Sequence, residues 1–225
     1  MSLKDNLIRI RENIRTACER SGRNPEEVKI VAVTKTVDVE TINEAVSLGL
    51  YDLGENRVQE LMSKYDLVDK RARWHIIGHL QTNKVKYIAD KVVMIHSVDS
   101  LRLAEEIDRQ CKKHGRCMDI LIEINSGEEN KNGVAPENAF ELIEGVSKLS
   151  NVRIRGLMTM APLASDESTK HSVFLKLKKL ALDIEEKKYD NVSMEELSMG
   201  MSNDYPEAIE EGSTLIRPGR SLFRA

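Results

Sequence analysis

Apolar residues along this chain fall into short, β-branched runs separated by longer stretches at helical spacing. Ile30-Val31-Ala32-Val33 has no polar break, as expected of a strand covered on both faces. It closes on Thr34-Lys35-Thr36, and residues 39–48 then set Ile42, Ala45 and Val46 on one helical face. The alternation repeats. Residues 51–53, 74–77, 92–95, 118–124, 152–157, 196–198 and 215–217 read as seven further strands. Residues 57–69, 82–89, 100–114, 136–149, 165–187 and 204–211 read as the intervening helices. A lead-in helix over 3–21 lines up Leu7, Ile10, Ile14 and Ala17 and stops at Ser21-Gly22.

Eight strand-then-helix units predict a parallel sheet. That many in 225 residues predict an α/β fold closed as a (β/α)8 TIM barrel with an extra N-terminal helix, one domain over 1–225. An open doubly wound sheet is the competing architecture, but no G-x-G-x-x-G follows the first strand. No linker or low-complexity stretch marks a second domain.

Composition narrows the function. A net charge of −3 makes no electrostatic case for nucleic acid or an anionic membrane. The apolar runs are too short to cross a bilayer, and the N-terminus lacks a signal-peptide core. Three cysteines with no CxxC point to a reducing cytoplasm and away from zinc.

Barrel active sites lie at the C-terminal strand ends. Here those ends carry Lys35, Gly54-Glu55-Asn56, Gly78-His79, His96-Ser97, Asn125-Ser126, Met158-Thr159, the run Ser198-Met199-Gly200-Met201-Ser202, and Arg217-Pro218-Gly219. The opposite ends are expected to lack this polar pattern. A lysine delivered from a dry core would have a lowered pKa and could attack an aldehyde; the plainer reading is that Lys35 marks the strand's exit. Ser198, Gly200, Ser202 and Gly219 sit on the loops after strands seven and eight, where barrels often bind phosphate. Lysine and phosphate loops in one mouth suggest pyridoxal 5′-phosphate (PLP), with Arg217 placed to face its ring nitrogen. His75 and His79 read as strand residues too far apart to share a zinc ion, with His75 in the barrel wall and His79 lining the mouth. Met199 and Met201 are expected to pack the mouth.

The stretches VAVTKT, DLGENRVQEL, WHIIGHLQTNK, SVDS, GLMTM and LSMGMSNDYPEAIEEGSTLIRPG resemble the YggS/PROSC family of pyridoxal phosphate homeostasis proteins. The likeness runs along almost the whole chain. It implies a barrel similar to the N-terminal domain of alanine racemase, with PLP as a Schiff base on Lys35. It also implies ring and phosphate contacts around Asn56, Met158, Ser198, Gly200, Ser202, Arg217 and Gly219. The family's usual ending resembles R-[IV]-G-T, whereas this chain reads Arg217-Pro218-Gly219-Arg220. Arg220 then either adds a charge to the phosphate or offers only its backbone N–H. Lys131 falls where the family often has a further lysine, and reads more simply as a solvated loop residue.

The favoured expectation is a carrier that buffers or supplies PLP. Its partners would be PLP and PLP-dependent client enzymes, and the resemblance implies a monomer. The alternative is a PLP-dependent amino-acid racemase. That needs two acid/base groups, and the second base of alanine racemase comes from a further domain expected to be absent here. A third reading, a phosphosugar enzyme with a Schiff-base lysine, would lean on Glu55 and His79.

Overall fold

The computed structural model describes residues 2–127, 132–162 and 165–224. Its first strand, β1, comes in two pieces, Lys29–Ile30 and Ala32–Val33, split at Val31. The first piece pairs with the last strand, β8 (Leu215–Arg217), and the second with β2 (Asp52–Glu55). That double pairing closes the sheet on itself. Between them run β3 (Arg73–Ile76), β4 (Val92–Val98), β5 (Met118–Glu123), β6 (Val152–Met158) and β7 (Val192–Met201), each parallel to its neighbour. Closed parallel strands with crossover helices make a (β/α)8 barrel.

The helices are α1 (Leu3–Ser21), α2 (Val39–Ser47), α3 (Val58–Lys64), α4 (Leu101–Lys113), α5 (Ala139–Ser147), α6 (Glu167–Glu185), α7 (Tyr205–Glu210) and α8 (Arg220–Phe223). Strand side chains alternate between two cores. Val31, Val33, Ile77, Leu121, Met158 and Leu215 fill the barrel, while Ala32, Leu53, Ile76, Ile120, Leu157 and Ile216 pack outward under the helices. This is why the first run needs no polar break.

Five elements differ from the sequence reading. β4 runs on to Val98, so His96 and Ser97 lie within the strand rather than beyond its end. β7 is ten residues long rather than three, because Glu195 and Glu196 are tied to Arg155 and Lys29 while the backbone stays in the ladder. α3 stops at Lys64, whose side chain turns inward instead of continuing an exposed face. Residues Thr82–Tyr87 form a 3-10 helix. The tail forms α8, which α1 covers: the Asn6 side-chain amide donates to the Leu222 carbonyl at 3.0 Å.

The N-terminal strand ends are not free of polar residues, contrary to expectation: β1, β2 and β3 begin at Lys29, Asp52 and Arg73, while the other five begin on apolar residues. They carry the ion pairs Lys29–Glu196, Arg73–Asp52 and Arg153–Asp119. A polar strand end therefore does not by itself distinguish mouth from floor.

Candidate functional site

Two-residue steps along the inward-facing positions lead to the mouth. Val31 and Val33 lead to Lys35, His75 and Ile77 to His79, and Leu215 and Arg217 to Gly219. Gly54 belongs to the same set: a Cβ there would lie 3.0 Å from Ile77 and 3.1 Å from Val31, and the next step is Asn56. Half-buried Asn56 is covered by Gly78, where a Cβ would meet the Asn56 carbonyl oxygen at 2.7 Å. His79 is half exposed and lies 3.8 Å from Asp99, so it does not converge with His75.

Lys35 does not sit in the dry surroundings expected of it. Thr34 is fully buried, but the chain then turns, with Val37 N–H donating to the Thr34 carbonyl at 3.0 Å, and Lys35 is exposed. The next residue, Thr36, has φ +62°, in the left-handed region that β-branched residues rarely enter. Beneath the turn, buried Lys64 donates 2.8 Å hydrogen bonds to Thr34 O, Glu55 Oε1 and Glu60 Oε1. Burial raises the Glu55 pKa despite the hydrogen bonds from Lys64 and Thr34.

The barrel interior holds a continuous hydrogen-bonded row. Arg217 is buried; its guanidinium donates to Ser198 Oγ at 2.6 Å and to the Thr159 carbonyl at 2.9 Å. Ser198 Oγ lies 2.8 Å from His96 Nδ1, His96 Nε2 lies 2.9 Å from His75 Nδ1, and His75 Nε2 lies 3.0 Å from Asp52 Oδ1. Asp52 can only accept, so His75 donates from Nε2. While both rings are neutral, each further proton points the same way, from Ser198 through His96 to the floor. Burial, then His75 and Arg217, hold His96 far below the usual histidine pKa, which keeps it neutral. Burial also lowers Arg217 to about 10, against the pull of Asp204 and Glu123. A charged guanidinium therefore faces the mouth, anchored on the protein side by two acceptors.

The loops after β7 and β8 are joined by Ser202. Its Oγ accepts from Gly219 N–H and Ser221 N–H, each at 3.1 Å, at the start of α8. Two backbone donors therefore converge on one oxygen position. Gly200, at φ +90°, lies against α7: a Cβ would sit 2.7 Å from Ala208 Cβ and 2.8 Å from Tyr205 Cα. Met201 N–H donates to Asp204 Oδ1 at 2.5 Å. Arg220 opens α8 and is exposed. Met158 lies in the inner core below the mouth, whereas Met199 packs outward under the helices rather than into the mouth. Ser198 is engaged with Arg217 and His96 rather than with these loops. Lys131 lies outside the described residues.

Glu123 was not singled out by sequence. It is 3 % exposed on β5, and burial, with Asp99, pushes its carboxyl up to about 7 while Arg217 pulls it down. Its one signal is a carboxylate directly after the apolar run Ile120-Leu121-Ile122. Cleft volume does not mark the site: a cleft of ≈ 380 Å³ lies at the floor, bordered by Arg11, Lys29, Asp52 and Arg73. A mostly apolar one of ≈ 280 Å³ lies beside β5, β6 and α6.

The sequence model of the family described as alanine racemase, N-terminal domain, matches residues 6–225. A pyridoxal phosphate homeostasis protein of Aquifex aeolicus is 46% identical over 225 residues, covering 99% of this chain and 98% of its own. The structure of PipY of Synechococcus elongatus PCC7942 with PLP bound superposes with a TM-score of 0.86 at 33% identity, covering 99% of this chain and 100% of that one. An alanine racemase of Clostridium difficile 630 shares the fold, with a TM-score of 0.80 at 17% identity, over 98% of this chain but 56% of that one. The chain belongs to the alanine racemase N-terminal domain family and, within it, to the pyridoxal phosphate homeostasis proteins.

Proposed function

We propose that this protein binds PLP in the barrel mouth and serves intracellular PLP homeostasis, buffering or supplying the cofactor. The carrying observation is the convergence in one mouth of exposed Lys35, buried Arg217 and the paired N–H groups of Gly219 and Ser221. These residues fit the cofactor's chemistry. The paired N–H groups match a phosphoryl oxygen, which would replace the Ser202 hydroxyl or share its place. Arg217, held cationic, suits an unprotonated pyridine nitrogen, and Lys35 supplies the amine for a Schiff base. Asn56, His79, Met158, Ser198, Gly200 and Met201 complete the walls and their support, with Arg220 at the rim. When bound, PLP supplies an aldehyde and an electron-withdrawing ring; an arginine at the ring nitrogen weakens that ring as an electron sink.

The relatives' names and the PLP-bound neighbour support this reading. No helix among the described residues is long and apolar enough to cross a membrane, and all three cysteines are free thiols. Those features suit a cytoplasmic protein, and we place it there as a monomer handing PLP to client enzymes. The test is the visible spectrum of the purified protein with added PLP. A Schiff-base band present in the wild type and lost in Lys35→Ala is the expected result. No band in the wild type refutes the assignment.

One observation favours a second reading, an amino-acid racemase. Glu123, raised to about 7, could exchange protons near neutral pH. Against it, the Tyr205 hydroxyl accepts from the Asn13 side-chain amide on the outer face, and Tyr51 borders the floor cleft. Stereospecific turnover lost in Glu123→Gln would support the enzyme reading. Its absence with PLP bound supports the carrier.

A further inference from the structure

Lys35 is a flexible side chain on an exposed turn, so its reach depends on how firmly its backbone is held. Both peptide groups that flank it are gripped by one partly buried ion cluster carried by α3. Lys64 Nζ donates to the Thr34 carbonyl, in the peptide before Lys35, at 2.8 Å. Glu60 Oε1 accepts from Thr36 N–H, in the peptide after it, at 2.6 Å. Lys64 and Glu60 are themselves paired at 2.8 Å, and Glu55 holds Lys64 from below. The turn's own hydrogen bond, from Val37 to Thr34, leaves the Thr36 N–H free for Glu60.

Thr36 stands at φ +62°. A β-branched residue stays there only when its surroundings over-determine the conformation, and such residues gather at functional sites. The cluster also separates the two lysines chemically. Lys64 has all three N–H bonds engaged by oxygen acceptors and is 7 % exposed, whereas Lys35 projects from the turn.

We propose that Glu60 and Lys64 are positioning residues for Lys35, clamping its backbone so that its amine meets the cofactor aldehyde in reacting geometry. This rests on the PLP reading above. In the step they serve, the neutral Lys35 nitrogen adds to the aldehyde carbon. The carbonyl oxygen then departs as water, taking both amine protons, and a C=N bond remains. Neither Glu60 nor Lys64 touches the reacting atoms. Their part is to keep the amine's search short, since misplacement by about 1 Å can cost on the order of a hundredfold in rate.

Lys64→Met would strand Glu55 in the interior and risk unfolding, so the test uses Glu60, whose side chain is 27% exposed. Glu60→Ala leaves the Lys64–Glu55 pair intact and removes the acceptor of Thr36 N–H. Glu60→Gln keeps a carbonyl acceptor in place. PLP is added to cofactor-free protein and the rise of the Schiff-base band is followed below the melting range. The exchange rate of the Thr36 amide proton is measured by NMR without PLP.

Glu60→Ala is expected to slow the band roughly tenfold or more, and to lose Thr36 amide protection. Glu60→Gln is expected to recover most of both. A wild-type rate in Glu60→Ala overturns the proposal. So does an equal loss in both variants, which would assign the effect to charge rather than to the hydrogen bond. So does lower thermal stability with an unchanged rate, which marks a structural role alone. If the wild type forms no band and borohydride traps no adduct on Lys35, the PLP reading itself fails, and this one with it.

Discussion

Ser198 Oγ stands between a guanidinium nitrogen of Arg217 and Nδ1 of His96, at 2.6 and 2.8 Å, inside the closed barrel. Both neighbours are buried, Arg217 at 3 % exposure and His96 at 0 %. Removing the hydroxyl therefore leaves a buried cationic donor and a buried ring nitrogen facing a methyl group. Each stranded group costs its desolvation penalty, so Ser198→Ala should lose about 2–4 kcal/mol of stability. Urea denaturation at neutral pH measures this. A loss under about 0.5 kcal/mol, the size of an ordinary surface change, would mean that the row through His96 and His75 is not a connected unit. The row also bears on the role proposed for Arg217 at the ring nitrogen. Thr159 and Ser198 hold its position from the protein side, so its charge need not be arranged anew for each ligand.

At the scale of elements, the loop after β7 is shaped by α7. Gly200→Ala puts a Cβ 2.7 Å from that of Ala208 at φ +90°, so α7 must shift or the loop must open. The expected cost is roughly 1–3 kcal/mol, together with weaker PLP binding, since Ser202 two residues on would lose its place beneath Gly219. Titration with PLP and thermal melting check both; unchanged affinity would detach this loop from the phosphate. Such contacts mark the limit of what the chain reveals alone. β1 was legible because Ile30 to Val33 is a short, mostly β-branched apolar run followed at once by a helical pattern, and alternation carries Val31 and Val33 on to Lys35. The loops that Ser202 joins were legible as a pair from their place after the last two strands. The surroundings of Lys35 were not, since the Thr34–Val37 turn lifts it two residues past the last ladder position. The row from Arg217 to Asp52 was hidden too. It joins β8, β7, β4, β3 and β2, and its step from Ser198 on β7 to His96 on β4 exists only across a closed barrel. β7 was read as three residues because its glutamates look like solvent-facing positions until their partners on β6 and β1 are known.

Over the whole molecule, buried titratable groups set how stability follows pH, and two of them oppose each other. His96 is depressed far below its unfolded value. Its contribution is present above about pH 6.5 and is lost as pH falls, because the unfolded chain binds the proton. Glu123 is raised from 4.5 to about 7, chiefly by burial. A carboxyl raised on folding contributes stability that is fully present below its unfolded pKa and lost as pH climbs through about 7. The shift corresponds to on the order of 3 kcal/mol. The barrel is thus pulled toward acid by Glu123 and away from it by His96. Glu123→Gln keeps the shape and removes one of the two slopes. The variant should gain stability over the wild type at pH 8, while the difference should shrink toward zero near pH 4.5. Denaturation curves for both proteins across that range decide the matter. A difference that does not change with pH would show that Glu123 is not a buried titrating group. A difference of the opposite sign would mean that its charge is paired more closely, by Arg217, than its burial penalises it.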